Sequence, residues 1–148
     1  MSLATHETRL KRAMRHINAR FAHDSEGTAI AQMVHTCHEQ VPNVSWEKVT
    51  PFWLVVEHEQ EPVGCLNIVY SVPIGRLEWM SFVSGLPYKV RALSVKALLA
   101  LGESVLKRTG SCAAVGNISF EHKSFRDILE SEGCTRMMSG ATMGRVIP

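Results

Sequence analysis

Polar and apolar residues alternate most clearly at residues 77–84. Leu77, Trp79, Ser81 and Val83 interleave with Glu78, Met80, Phe82 and Ser84, the two-residue period of a half-buried strand. After a break at Ser84-Gly85-Leu86-Pro87 the period changes. Leu93, Ala97, Leu98, Leu101, Val105 and Leu106 follow the three-and-four spacing of one buried helical stripe, and Gly110 stands where a helix-ending glycine belongs. Residues 77–110 therefore read as strand, turn and long helix. Upstream, residues 17–22 alternate weakly as a first strand, and residues 28–40 form a helix with Ile30, Met33, Val34 and Cys37 on one face, stopped by Pro42. Ser45 caps a short helical turn. Residues 52–57 and 63–72 make an antiparallel hairpin around a polar turn, and Pro73-Ile74-Gly75 leads into residues 77–84 as a third meander strand. Downstream, residues 111–116 form a strand parallel to its predecessor, because a helix separates the two. A helix over 123–132 closes at Gly133, and residues 134–138 and 141–147, joined at Ser139-Gly140, form a closing hairpin.

Composition narrows the function classes. The chain has 148 residues, 45% of them apolar, which suits one domain spanning 1–148 with a core of its own. Residues 1–16 read as a solvated helical extension, with Arg9, Lys11, Arg12 and Arg15 around Leu10 and Met14. A net charge of +2 makes no demand for nucleic acid, and Trp46, Phe52 and Trp53 read as core, since no basic and aromatic alternation accompanies them. Without a membrane-length apolar run or a signal-peptide core, the expected location is cytoplasmic, with no membrane partner. Cys37, Cys65, Cys112 and Cys134 are scattered without a CxxC pair and read as reduced. His35, Cys37 and His38 form the one cluster resembling metal ligands. No second pair completes a site, so no metal is expected.

The candidate chemistry lies at the joint between strand and long helix. Lys89 and Arg91 bring positive charge to the first turn, while Ala92 and Ser94 are small enough to let an anion reach the backbone N–H groups. A phosphate or pyrophosphate is the expected ligand.

The element order strand, helix, hairpin, strand, long helix, strand, helix, hairpin resembles the GNAT superfamily over residues 17–147. Arg20 and Asp24 resemble the family's Arg and Asp at the exit of the first strand. Glu61-Pro62-Val63-Gly64 resembles the opening of its third strand, and Lys89, Ala92 and Ser94 fall on its phosphate-loop spacing. Asn117 and Gly133 resemble its late cofactor-side segment, and Val115-Gly116-Asn117 resembles phage-encoded members, some of them virion components. The resemblance implies an α/β (α+β) fold with a mixed central sheet of about six to seven strands and helices on both faces. It implies acetyl-CoA as acyl donor, with the backbone of Phe82, Val83 and Ser84 on the pantetheine. Lys89, Val90, Arg91, Ala92, Leu93 and Ser94 would hold the pyrophosphate, with Asn117 alongside.

The implied reaction is acetyl transfer to a primary amine, on a small molecule or a protein, by direct attack. Glu78 would act as general base and His122 as proton donor, with Ser119 and Ser124 as weaker alternatives. The departures are that Ala92 and Ser94 replace glycines, and that Leu129 stands where the family keeps a tyrosine. They support the rival reading, a non-catalytic GNAT-fold structural or partner-binding module such as a virion component. Met137, Met138, Met143 and Val146 give the closing hairpin an apolar edge through which a homodimer could assemble.

Overall fold

The computed structural model describes residues 16–117, 123–136 and 142–146, together with Thr8. The expected N-terminal helix, His122, Ser119 and the Ser139-Gly140 turn lie outside the described residues. The chain runs β1 (Ile17–Phe21), a 3-10 turn (Asp24–Glu26), α1 (Gly27–Cys37), α2 (Trp46–Val49) and a second 3-10 turn (Thr50–Phe52). It continues through β2 (Trp53–His58), β3 (Glu61–Val69), β4 (Ile74–Phe82), α3 (Tyr88–Arg108), β5 (Ala113–Asn117), α4 (Lys123–Ser131), β6 (Thr135–Arg136) and β7 (Thr142–Val146). The strands join in one mixed sheet in the order β1-β2-β3-β4-β5-β7-β6. All neighbours are antiparallel except β4 and β5, which the α3 crossover makes parallel.

The sheet is covered on both faces, and β2 shows it. Trp53 and Val55 are buried beneath α1 with Ile30, Met33, Val34 and Cys65. Leu54 and Val56 point the opposite way, into the layer of Leu66, Ile68, Val95, Leu98, Leu106, Ile128 and Leu129 beneath α3 and α4. A strand buried on both faces needs apolar residues at every position, hence the run Trp53-Leu54-Val55-Val56. The long helix stops as its glycine predicts. Gly110 has φ +97, the Gly110 N–H reaches Lys107 O at 3.1 Å and the Ser111 N–H reaches Leu106 O at 3.0 Å, a Schellman ending that a side chain with Cβ would strain.

One expectation fails at β4. Simple alternation puts Leu77 and Trp79 on one face, but Leu77 packs beneath α3 and Trp79 against the α1 layer. The cause is a bulge: Cys65 pairs with Ser81 and Asn67 with Glu78, so Leu66 alone opposes both Trp79 and Met80. Trp79 absorbs the extra residue at φ +56, a backbone region that bulky residues rarely occupy.

Candidate active site

β4 meets β5 only through Ile74↔Ala113, Gly75↔Ala114 and Arg76↔Val115. From Leu77 to Phe82, β4 has no strand partner on its β5 side among the described residues, while β5 carries on to Asn117 against β7. Gly116 marks the last close approach, since a Cβ there would collide with the Leu77 carbonyl oxygen. Beyond that point the β5 side of β4 has no strand partner among the described residues, and such a sheet edge can accept an extended ligand as if it were another strand.

The edge is bulged, and the bulge is pinned from the α1 side. Ser81 Oγ donates to Trp79 O at 2.8 Å and lies 3.1 Å from His38 Nε2, and the His38 ring stands edge-on to the Trp79 indole at 5.0 Å. At the far end of the strand, Val83 N–H donates to Val63 O at 3.0 Å, so Val83 is turned toward β3 and its N–H is not free for a cofactor as expected. Phe82, one residue earlier, faces the other way. Its N–H and carbonyl both meet Cys37 Sγ, each at 3.4 Å, and its side chain is buried. These long sulfur contacts are weak, and a ligand amide on the same edge would replace them with stronger hydrogen bonds. Ser84 is exposed in the turn that leads to α3.

That turn delivers the N-terminus of α3 to the same region. The first intrahelical bond runs from Arg91 N–H to Pro87 O at 2.9 Å. The free N–H groups of the first turn therefore belong to Tyr88, Lys89 and Val90, while those of Arg91, Ala92, Leu93 and Ser94 lie inside the helical ladder. The free donors therefore lie earlier in the helix than the expected set, which ran from Lys89 to Ser94. Ser94 is fully buried, with its Oγ unpartnered among the described residues, so its small size serves packing. The mouth is open, because Tyr88 is 63% exposed and Lys89 is also on the surface. Arg91 adds charge nearby from a partly buried position.

Glu78 lies on the α1 face. It is directly opposite Asn67 in register, which puts both side chains on one side of the sheet, and its Oε1 is 3.4 Å from Arg76 Nη1. A cavity of about 400 Å³ opens beside it, walled by Trp46, Phe52, Trp53, Tyr70 and Trp79, with Asn67 at the edge. The sequence reading assigned Trp46, Phe52 and Trp53 to the core. Only Trp53 is fully buried, and all of them line this space.

Asn117 ends β5, and His122 lies outside the described residues. Leu129 is buried beneath the sheet, so its position offers no proton donor to the cleft. The two tyrosines of the chain, Tyr70 and Tyr88, stand on other elements. Arg20, at the exit of β1, grips Glu26 and Glu57. His35 turns its ring to Trp46, away from the ring that His38 meets. Among the described residues no three His, Cys, Asp or Glu side chains converge on a metal position, and no helix is long and apolar enough to cross a membrane.

No protein-family model matches the sequence, and no curated protein matches it. Solved structures do match in fold. Rv2747 from Mycobacterium tuberculosis, solved in complex with CoA, aligns over 88% of this chain and 99% of its own, with a TM-score of 0.71 at 14% identity. yncA from Salmonella typhimurium, solved with its cofactor acetyl-CoA, covers 90% of this chain and 95% of its own, with a TM-score of 0.71 at 14% identity. An acetyltransferase of the GNAT family from Staphylococcus aureus Mu50 covers 89% and 99%, with a TM-score of 0.69 at 11% identity. The chain has the fold of the GNAT acetyltransferases.

Proposed function

We propose that the chain is an acetyl-CoA-dependent N-acetyltransferase acting on a primary amine. One observation carries the reading: β4 beyond Leu77 is a bulged strand with no strand partner on its β5 side among the described residues, and it leads to the open N-terminus of α3. The residues present fit the donor. The N–H groups of Tyr88, Lys89 and Val90, with the charges of Lys89 and Arg91, suit a diphosphate. The backbone edge of β4 from Met80 to Phe82 suits an amide-bearing arm. Acetyl-CoA supplies the activated acetyl thioester. Glu78, held on the acceptor face opposite Asn67, takes the proton from the incoming ammonium, and direct attack then needs no nucleophile on the protein.

Thermal unfolding tests the donor. A ligand of micromolar affinity at millimolar concentration adds about 4 kcal/mol of stability, so acetyl-CoA should raise Tm by several degrees. A flat response would overturn the reading. Given a response, Glu78→Gln should lower kcat/KM by about a hundredfold at neutral pH while leaving the acetyl-CoA shift intact. Unchanged turnover removes Glu78 from the mechanism. A second reading, a non-catalytic partner-binding module on the same scaffold, is favoured by Leu129, a buried side chain with no proton to donate.

A further inference from the structure

The cavity beside Glu78 has a chemistry of its own. At about 400 Å³ it is the size of a small-molecule pocket, near the lower end of the usual range. Five of its lining residues are aromatic and most of the rest aliphatic; Trp46 and Trp53 are 5.8 Å apart, and Phe52 and Tyr70 stand edge-to-face at 6.4 Å. No charged side chain lines it. Its polar side chains are few, and the Asn67 Nδ2 amide is already donating to Phe52 O at 3.1 Å. Such a lining has nothing to hold the carboxylate of an amino acid or the second ammonium of a polyamine, and burying either unpaired is costly. An aromatic ring, by contrast, gains area burial against the aliphatic residues and edge-to-face contacts with the rings. Outside the lining, register puts two charged groups next to it, Glu78 opposite Asn67 and Arg76 opposite Val69, paired with each other at 3.4 Å.

Resting on the N-acetyltransferase reading, we propose that this cavity seats the acceptor, and that the acceptor is a small primary amine with an aromatic body. The ring enters the space that Trp46, Trp53 and Trp79 line, and the ammonium stays at the rim beside Glu78. Atom balance follows from the proposed reaction. The amine nitrogen forms the new C–N bond, the C–S bond of the thioester breaks, Glu78 receives the ammonium proton, and the sulfur leaves as CoA thiol. No oxidant or further reactant enters.

All three tryptophans of the chain line this cavity, so intrinsic fluorescence reports its occupancy without CoA or turnover. The probes are phenethylamine, spermidine and glycine, titrated into the full chain, with acetyl-CoA thermal shifts run in parallel. Phenethylamine should change the emission saturably and spermidine and glycine should not, and thiol release from acetyl-CoA should follow the same order. Val44→Phe, which fills part of the cavity from a partly exposed loop position, should weaken phenethylamine about tenfold with the acetyl-CoA shift unchanged. Absence of a phenethylamine response, an equal response in Val44→Phe, or preference for spermidine or glycine overturns the proposal while an intact acetyl-CoA shift leaves the transferase reading standing. Phenethylamine binding without any acetyl-CoA shift overturns both.

Discussion

Arg20→Met isolates the contact that ties α1 to the sheet. The Arg20 guanidinium holds Glu26 in a fork, Nη1 to Oε1 at 2.6 Å and Nη2 to Oε2 at 3.0 Å, while Nε reaches Glu57 Oε2 at 3.1 Å. Glu26 also accepts the His23 N–H at 2.7 Å, closing the turn that starts α1. The three side chains are only 23%, 12% and 22% exposed. Two unit charges about 4 Å apart interact by about 4 kcal/mol at an effective dielectric of 20. An exposed pair keeps less than about 1 kcal/mol of this, and breaking a fully buried pair costs about 3–5 kcal/mol. At these exposures Arg20→Met should cost about 2–3 kcal/mol at pH 7, a shift of about 1–2 M in the urea midpoint.

The pH dependence separates charge from packing. Glu26 is held below its ordinary value, chiefly by the Arg20 hydrogen bonds and against the effect of burial, while Arg20 is pushed upward by the same partner and stays charged. A carboxylate whose folded value is depressed stabilises fully above its unfolded value, near 4.3 for glutamate, and loses that contribution as pH falls through the folded value. The wild-type advantage over Arg20→Met should therefore shrink between about pH 5 and pH 3, to about 1 kcal/mol or less. Urea titrations at pH 7 and pH 3 read this directly. An equal deficit at both would show that Arg20 acts through its methylenes, and the electrostatic reasoning would be wrong.

Gly116→Ala should destabilise the chain by about 2 kcal/mol or more, because the new Cβ meets the Leu77 backbone carbonyl, which has no rotamer to move to; a loss under about 0.5 kcal/mol in urea unfolding would refute the close approach. In native thiol titration Cys112, exposed on the surface, should react first, and Cys65, whose thiol burial pushes upward, only on unfolding; early labelling of Cys65 by mass spectrometry would contradict its burial.

Much of the scaffold was legible because it is periodic. The stripe from Leu93 to Leu106, the two helix-ending glycines and the run 53–56 each encode an element in local composition, and Gly110 and Gly133 take the positive φ expected of them. The bulge was not legible, since period two continues on both sides of Trp79 and one extra residue leaves no compositional mark. Nor was the partner of Arg20. Asp24 and Glu26 are both within reach in sequence, and the 3-10 turn brings Glu26 rather than Asp24 to the guanidinium. The break at Ser84-Gly85-Leu86-Pro87 ends where α3 begins, but the small residues Ala92 and Ser94 drew the anion-binding turn too far along a helix whose free N–H groups lie at Tyr88, Lys89 and Val90. The aromatic cavity escaped for a different reason. It is a gap between the chain leading from α1 to β2 and the sheet, and no spacing rule distinguishes a tryptophan lining a gap from one filling it.

The bulge is what makes the two halves of the proposed site meet. Before it, β4 pairs with both β3 and β5 as far as Arg76 and then with β3 alone, with Leu77 beneath α3 and Glu78 opposite Asn67 on the other face. After it, Ser81 lies on the α1 face with His38, and Phe82 points its side chain beneath α3. A continuous two-residue period admits only one of these phases, since a single-residue slip reverses every side chain. The extra residue reconciles them and places Glu78 and Trp79 consecutively on the acceptor face, one beside the cavity and one in its wall. Pairing with β5 ends at Arg76, before the bulge, so the strand first loses its β5 partner and then changes phase at Trp79 and Met80. The strained φ of Trp79 persists because Ser81 and His38 hold its carbonyl and its ring.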